Sequence, residues 1–322
     1  MSTTAHANLA ADESTSTILS AFSTLPDPQL SALIECVVLD THHRHRRISA
    51  ILSTPTLFSL AILRLLSLPD KSFLISHLLL SSLHCLTLPF VTQLPPHAVG
   101  CEPCSEQNTA LQFLHWPCVR RMMPGDEDAV LLLLLLCDLQ HRHPQVLDEA
   151  SPSEWRHILK DLCYDTMVSL SGIGSHHGGA LVPFVETVVR CHRYVSSMTC
   201  PVVGGEEVAA SASTVLQLPW VEVDKGGGEC VVCWEEMREG RQACELPCRH
   251  MFHWTCILPW LRKRNTCPCC RYELPTDDIY GEIQRLWNML MKRGQLVREG
   301  KCGQRSAGRN TMGETSEAGI RG

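Results

Sequence analysis

The chain has 322 residues, 44% of them apolar, and a formal net charge of −6. That length allows one to three domains with a real core. The mild acidity gives no argument for a nucleic-acid partner or an anionic membrane. Cysteine is the outlier, at 18 residues. The N-terminal stretch lacks the basic and compact apolar regions of a secretory signal, so a reducing compartment is expected. Clustered Cys and His there read as metal ligands rather than disulfides.

Residues 1–16 are expected to be disordered and residues 17–216 to be helical. The first 25 residues are rich in Ser, Thr and Ala, as in a plastid transit peptide. Asp12 and Glu13 interrupt that pattern and the first arginine is Arg44, which argues against import. The run Asp40–Arg47 (DTHHRHRR) is basic and His-rich. Adjacent histidines on a helix point in different directions, so a solvated helix face is expected rather than a metal site. Contact with an anionic surface or a partner is the alternative. Pro55 then suits the first turn of a helix after a Ser or Thr cap.

Pro69 and Asp70 break the chain before a helix over Ser72–Leu88. From Ser72 to Val91 no Asp, Glu, Lys or Arg occurs, which raises the question of a membrane span. His77, Ser81 and His84 fall at helical spacing opposite Leu78, Leu79, Leu83 and Leu86, and an amphipathic core helix is expected instead. Cys101, Cys104, His115 and Cys118 have a spacing that metal ligands can adopt. No flanking pattern supports a site, so ordinary loop residues are favoured. Ala129–Cys137 is apolar throughout but far shorter than the ~20 residues needed to cross a bilayer. With Asp126, Glu127 and Asp128 at its start, where acids suit the helix dipole, it reads as a helix buried on all sides.

Ser151-Pro-Ser-Glu154 has capping-box spacing, and a helix should run to about Val168. A loop over 171–179 and a helix over 181–195 follow. No clean repeat period is found. Residues 217–228 read as a linker ending in Gly226–Gly228, and residues 229–275 hold the Cys/His cluster. Over 276–298, Ile279, Ile283, Leu286, Trp287 and Leu290 mark one apolar face of a C-terminal helix. The tail 299–322, rich in Gly, Arg and Ser, is expected to be disordered.

The cluster reads Cys230-x2-Cys233-x14-Cys248-x-His250-x2-His253-x2-Cys256-x10-Cys267-x2-Cys270. Eight such ligands in four close pairs suit two tetrahedral Zn2+ ions. Each C-x-x-C turn can aim two thiolates at one ion, with backbone N–H groups stabilising their charge. So short a segment lacks a large apolar core, and zinc should supply much of its folding free energy, on the order of 10–16 kcal/mol apparent per ion. The fourth and fifth ligands are both His, unlike a PHD finger, and the spacing differs from paired LIM modules.

With the flanking residues in LPC-x-H-x-FH-x2-C-I-x-PWL and NTCP-x-CRYELPTDD, the segment 229–278 resembles the RING finger family in its His-His variant. The resemblance implies that ligand pairs alternate between ions. Cys230, Cys233, His253 and Cys256 would hold the first zinc, and Cys248, His250, Cys267 and Cys270 the second. Together with the helical patterns on either side, it gives an expected α+β multidomain chain: an all-α N-terminal domain, a small zinc-bound RING finger with a short β-hairpin plus a helix, and a C-terminal helix. The implied activity is ubiquitin ligation without a covalent intermediate. A ubiquitin-loaded conjugating enzyme is held so that its thioester is poised for attack by a substrate lysine. Val232, Trp260 and Pro268 match the apolar groove that touches the conjugating enzyme. Arg271 matches the linchpin cation that contacts both ubiquitin and that enzyme. Cys269 is the spare cysteine of CPCCR, where the family usually carries a bulky apolar residue.

Beyond the finger, HHRHRRISAILSTPTLFSLAILRLLSLPDKSFLISHLL, DAVLLLLLLC, LVPFVETVVRCHRYV and EIQRLWNML resemble plant amyloplast-associated RING ligases of shoot gravitropism. Pro95–Met123 and the residues after Leu296 have no obvious counterpart. This wider resemblance implies a peripheral association with the plastid surface, with the finger facing the cytosol, where ubiquitin is found. The helical domain would supply targeting or choose the protein substrate, which the sequence does not name. An adaptor finger without ligase activity is the alternative. A nucleic-acid-binding finger is disfavoured: Arg262–Arg264 is basic, but no recognition-helix pattern accompanies it.

Overall fold

The computed structural model describes residues 13–65, 68–91, 124–171, 179, 181–198, 208–223 and 228–307. The candidate third site at Cys101, Cys104, His115 and Cys118 lies outside them, as does nearly all of the loop expected over 171–179. Helix α1 covers 13–22. It is followed by α2 (Asp27–Ser53), α3 (Pro55–Arg64), α4 (Leu68–Val91), α5 (Pro124–Arg142), α6 (Pro144–Glu149), α7 (Pro152–Ser171) and α8 (Leu181–Met198). The second part of the chain holds α9 (Ala212–Leu216), β1 (Trp220–Glu222), β2 (Glu229–Cys230), β3 (Glu235–Glu236), β4 (Gln242–Glu245) and β5 (Met251–Phe252). Helices α10 (Trp254–Leu261) and α11 (Ile279–Ala307) complete it.

Local signals set several helix starts. Pro55 sits at the first turn of α3, behind Thr54 in extended backbone. At α7 the Ser151 N–H donates to Glu154 Oε2 at 2.8 Å and the Ser151 hydroxyl donates to the same atom at 2.7 Å. Glu154 thus reaches back over the helix start, as the capping box predicts.

Helix α4 is a core helix as expected, but its polar face is only partly open: Ser81 is exposed and His84 half-buried, whereas His77 is buried. Leu74, Ile75, Leu78, Leu79, Leu80, Leu83 and Leu86 are buried, and so are His77 and Ser76. The helix packs on α2, α5, α8 and α11, so protein surrounds it on most sides. It is long and apolar enough to cross a membrane, yet about two thirds of its most apolar window is buried within the protein. Two of its buried hydroxyls are satisfied within the helix: Thr87 donates to the Leu83 carbonyl and Ser76 to that of Ser72, both at 2.8 Å. The leucine run of α5 is buried as expected, with Ala129 to Leu133 all within the core.

The basic run on α2 is not a solvated face throughout. Arg47 pairs with Asp128, and His43 Nε2 lies 2.9 Å from Glu127. On α3, Arg64 pairs with Asp126. The three acids that open α5 therefore meet three basic partners from α2 and α3. Arg44 bridges Asp40 at 2.6 Å and lies over the Phe184 ring, 5.5 Å from its centroid. His42 and Arg46 remain exposed.

Helix α11 belongs to the helical core. Ile283, Leu286, Trp287 and Leu290 are buried in the same cluster as α2, α4, α5 and α8. Trp287 stacks on His192 of α8, with centroids 3.7 Å apart. The helix also runs on to Ala307, past the expected end at 298.

A second, smaller core holds the Cys/His segment. Its sheet has the order β1-β4-β5, antiparallel, with Trp220 opposite Cys244 and Cys244 opposite Phe252. Strands β2 and β3 form a separate antiparallel pair. Residues assigned to the helical domain and linker by sequence thus form part of this unit. The Ala210 N–H donates to the Leu261 carbonyl at 2.9 Å, and the Ser211 N–H to that of Pro275 at 2.8 Å. Trp220 stacks on Trp254 of α10 with centroids 4.5 Å apart. A strand of three residues gives too short an alternation to be read from sequence.

Candidate metal centre

Two kinds of local structure deliver the eight candidate ligands. The first is a tight turn after each C-x-x-C pair. Following Cys230, the N–H of Trp234 returns to the Cys230 carbonyl at 2.7 Å, with Trp234 at φ 61°. Following Cys267, the N–H of Arg271 returns to the Cys267 carbonyl at 2.9 Å, with Arg271 at φ 59°. The second is the end of a regular element. Cys248 and His250 lie in the turn between β4 and β5, where the Leu246 N–H donates to the His250 carbonyl at 3.0 Å. His253 is the N-cap position of α10, and Cys256 lies within its first turn.

These elements bring Cys230, Cys233, His253 and Cys256 into one group and Cys248, His250, Cys267 and Cys270 into another. Within each group the four ligand atoms lie within 4.8 Å of one another. The chain alternates between them, pair by pair. Tetrahedral bonds of zinc length give S···N edges of about 3.6 Å and S···S edges of about 3.8 Å. The observed edges are 3.4 Å for Cys233 Sγ to His253 Nδ1, 3.9 Å for Cys256 Sγ to His253 Nδ1 and 3.4 Å for Cys248 Sγ to His250 Nδ1. Both imidazoles present Nδ1 to their group. The donor sets, three sulfurs with one nitrogen in each group, fit a borderline-soft tetrahedral ion.

The thiols do not share one electrostatic environment. Burial raises the Cys230 thiol, but N–H groups of His253, Val232 and Cys233 outweigh it and bring it down to about 7. Here the turn stabilises a thiolate, as the C-x-x-C spacing predicts. Burial pushes Cys248 up to about 12 and Cys256 up to about 11. A bound dication would favour the thiolate form at all six cysteines.

Around the ligands, Val232 sits in the first turn and is 36% exposed. Pro268 sits half-buried in the second turn, and Trp260 is half-buried on α10. Trp260 Nε1 donates to the Thr266 carbonyl at 2.7 Å, and the Arg264 guanidinium lies 4.9 Å from its ring centroid. Its ring is thereby fixed against the loop that leads into Cys267. Arg271 and Cys269 are exposed. Cys244, which the ligand pattern leaves out, is buried in β4, and burial pushes its thiol up to about 12. Trp220 was not legible as part of this unit, because its role depends on the β1–β4 pairing.

Residues 228–271 match the family model described as a Ring finger domain. Over 301 residues the chain is 42% identical to "E3 ubiquitin-protein ligase SGR9, amyloplastic" of Arabidopsis thaliana, covering 88% of this chain and 98% of that protein. The chain belongs to the RING-type E3 ubiquitin-protein ligases. A shorter similarity, 52% over 81 residues, links it to the E3 ubiquitin-protein ligase RNF181 homolog of Drosophila melanogaster, covering 24% of this chain and 55% of that protein. The RNF181 ligase of Danio rerio is 49% identical over 82 residues, covering 24% and 52%. As a RING-type ligase the chain is a ubiquitin transferase. Its partners are a ubiquitin-conjugating enzyme, ubiquitin and a protein substrate.

Proposed function

We propose that the two Cys/His groups bind two Zn2+ ions and that the finger they hold promotes ubiquitin transfer at the surface of the amyloplast. The carrying observation is the pair of interleaved groups, whose S···N edges match a zinc tetrahedron. The ions are structural: they fix the two turns and the start of α10. Val232, Trp260 and Pro268 are then the apolar contacts for the conjugating enzyme, and aromatic anchors of this kind dominate binding energy. Arg271, whose planar fork can donate to two carbonyls at once, restrains ubiquitin against that enzyme. Catalysis is by orientation: no residue of this chain bonds to ubiquitin.

The location rests on the wider sequence resemblance and on the printed name of the Arabidopsis relative, which is amyloplastic. The same resemblance supports a role in shoot gravitropism. In this reading the finger faces the cytosol, and the helical residues 17–216 supply targeting or substrate choice.

The test is a reconstituted reaction with ubiquitin, activating enzyme and a panel of conjugating enzymes. Chains should form with at least one of them, and no product with any would overturn the proposal. Trp260→Ala should abolish chain formation while two zinc ions per chain remain. Loss of zinc in that variant would make Trp260 a structural residue only.

A further inference from the structure

Cys36 of α2 and Cys85 of α4 stand 49 positions apart in sequence, yet their sulfurs lie 3.2 Å apart. Neither belongs to the metal groups. Both side chains are half-buried, so small oxidants have a route to them. A disulfide bond is about 2.05 Å long, which leaves roughly 1.1 Å to close.

We propose that Cys36 and Cys85 form a reversible, peroxide-sensitive disulfide that staples α2 to α4. Cys36 is the attacking sulfur. The two thiols share one S–H···S hydrogen bond in which either can donate; with Cys85 as the donor it lowers the Cys36 thiol, against burial and the nearby Asp40 carboxylate. In that arrangement the hydrogen bond and burial push the Cys85 thiol up. The Cys36 thiolate attacks one oxygen of hydrogen peroxide, the O–O bond breaks, and hydroxide leaves with the electron pair. Cys36 is then a sulfenic acid. The Cys85 sulfur attacks the sulfenic sulfur and its proton goes to the departing oxygen. The S–S bond forms, the S–O bond breaks and water is released. Two thiols lose two electrons and one peroxide is reduced to two waters. A dithiol reductant reverses the bond, so in a reducing compartment it would be transient.

The staple sits beside a structural junction. His84 precedes Cys85 and lies 3.5 Å from Glu282 at the start of α11. Oxidation would therefore tighten the part of the helical core to which the finger is attached.

The experiment treats the full zinc-loaded chain with near-stoichiometric hydrogen peroxide, with a chromogenic chelator reporting any released zinc. Free thiols are then alkylated and peptides are mapped without reduction. The expected result is a Cys36–Cys85 cross-linked peptide formed before zinc is released. The helical thermal transition should rise by roughly 5–10 °C and return after dithiothreitol. Cys85→Ser should leave a Cys36 sulfenic acid that dimedone traps. The proposal is overturned if both thiols remain fully alkylatable after peroxide. It is equally overturned if zinc release precedes any cross-link, or if Cys36 pairs with another cysteine. The wild-type peptide map decides the matter even where a variant fails to fold.

Discussion

Arg271 holds a left-handed backbone conformation that costs a side-chain-bearing residue on the order of 1 kcal/mol and glycine almost nothing. The turn requires it, because the Arg271 N–H must reach the Cys267 carbonyl. An arginine where glycine would fit more easily supports a task for its guanidinium. Arg271→Gly should therefore match or slightly exceed the wild-type melting temperature and keep two zinc ions. Its chain formation should drop about tenfold, the equivalent of one or two charge-assisted hydrogen bonds. Undiminished activity in a single-turnover discharge assay would remove Arg271 from the mechanism. Gly294 is constrained differently. A Cβ at this point on α11 would overlap the carbonyl oxygen of Thr17 and come within 2.7 Å of its carbon. Backbone cannot swing aside as a flexible side chain can. Gly294→Ala should destabilise the helical core by about 1–3 kcal/mol, despite alanine's better helix propensity, as urea unfolding would record.

Among the elements, α11 forms the junction between the two cores. Asp278 caps its start, accepting from the Gly281 N–H at 2.5 Å. Glu282, 2% exposed, accepts two hydrogen bonds from Arg285 at 2.6 and 2.7 Å. It also accepts the Thr276 N–H from the segment leaving the finger, at 3.2 Å. Burial opposes the Glu282 charge, but Arg285, His84 and Thr276 outweigh it and hold the carboxyl at about 2. The folded pKa thus lies below the ordinary 4.5, so the pair's contribution is complete above pH 4.5 and is lost as pH falls towards 2. Glu282→Gln would leave the buried Arg285 without its counter-charge. It should cost about 3–5 kcal/mol at pH 7, and that deficit against wild type should shrink as both proteins are acidified below pH 4.5. A constant difference across that range in denaturant titrations would discount the pair.

For the molecule as a whole, two cores predict two responses to chelation. The finger core is small and borders both ligand groups, whereas the helical core contains none of the eight ligands. Excess 1,10-phenanthroline should abolish chain formation and the near-ultraviolet signal of the Trp220–Trp254 stack while most helical circular dichroism persists. Loss of the helical signal in step with zinc would mean that the cores fold as one unit.

The sequence by itself determined whatever is encoded locally. The C-x-x-C spacings, the flanking Trp260 and Pro268, the capping box at Ser151 and the leucine run of α5 each act over a few residues, where backbone geometry leaves little choice. Even the alternation of ligand pairs came from order along the chain, through a family resemblance. Tertiary structure decided what depends on distant partners. It set His43 and Arg47 of the basic run, together with Arg64 of α3, against three acids some 60 to 85 positions away. It buried His77 of the expected polar face of α4, which has protein on most sides. It moved residues 210–223 into the finger through three paired residues of β1 and placed α11 in the helical core. It brought Cys36 to Cys85. Charge pairing, burial and strand addition are settled by which surfaces meet, and a local pattern of residues does not carry that information.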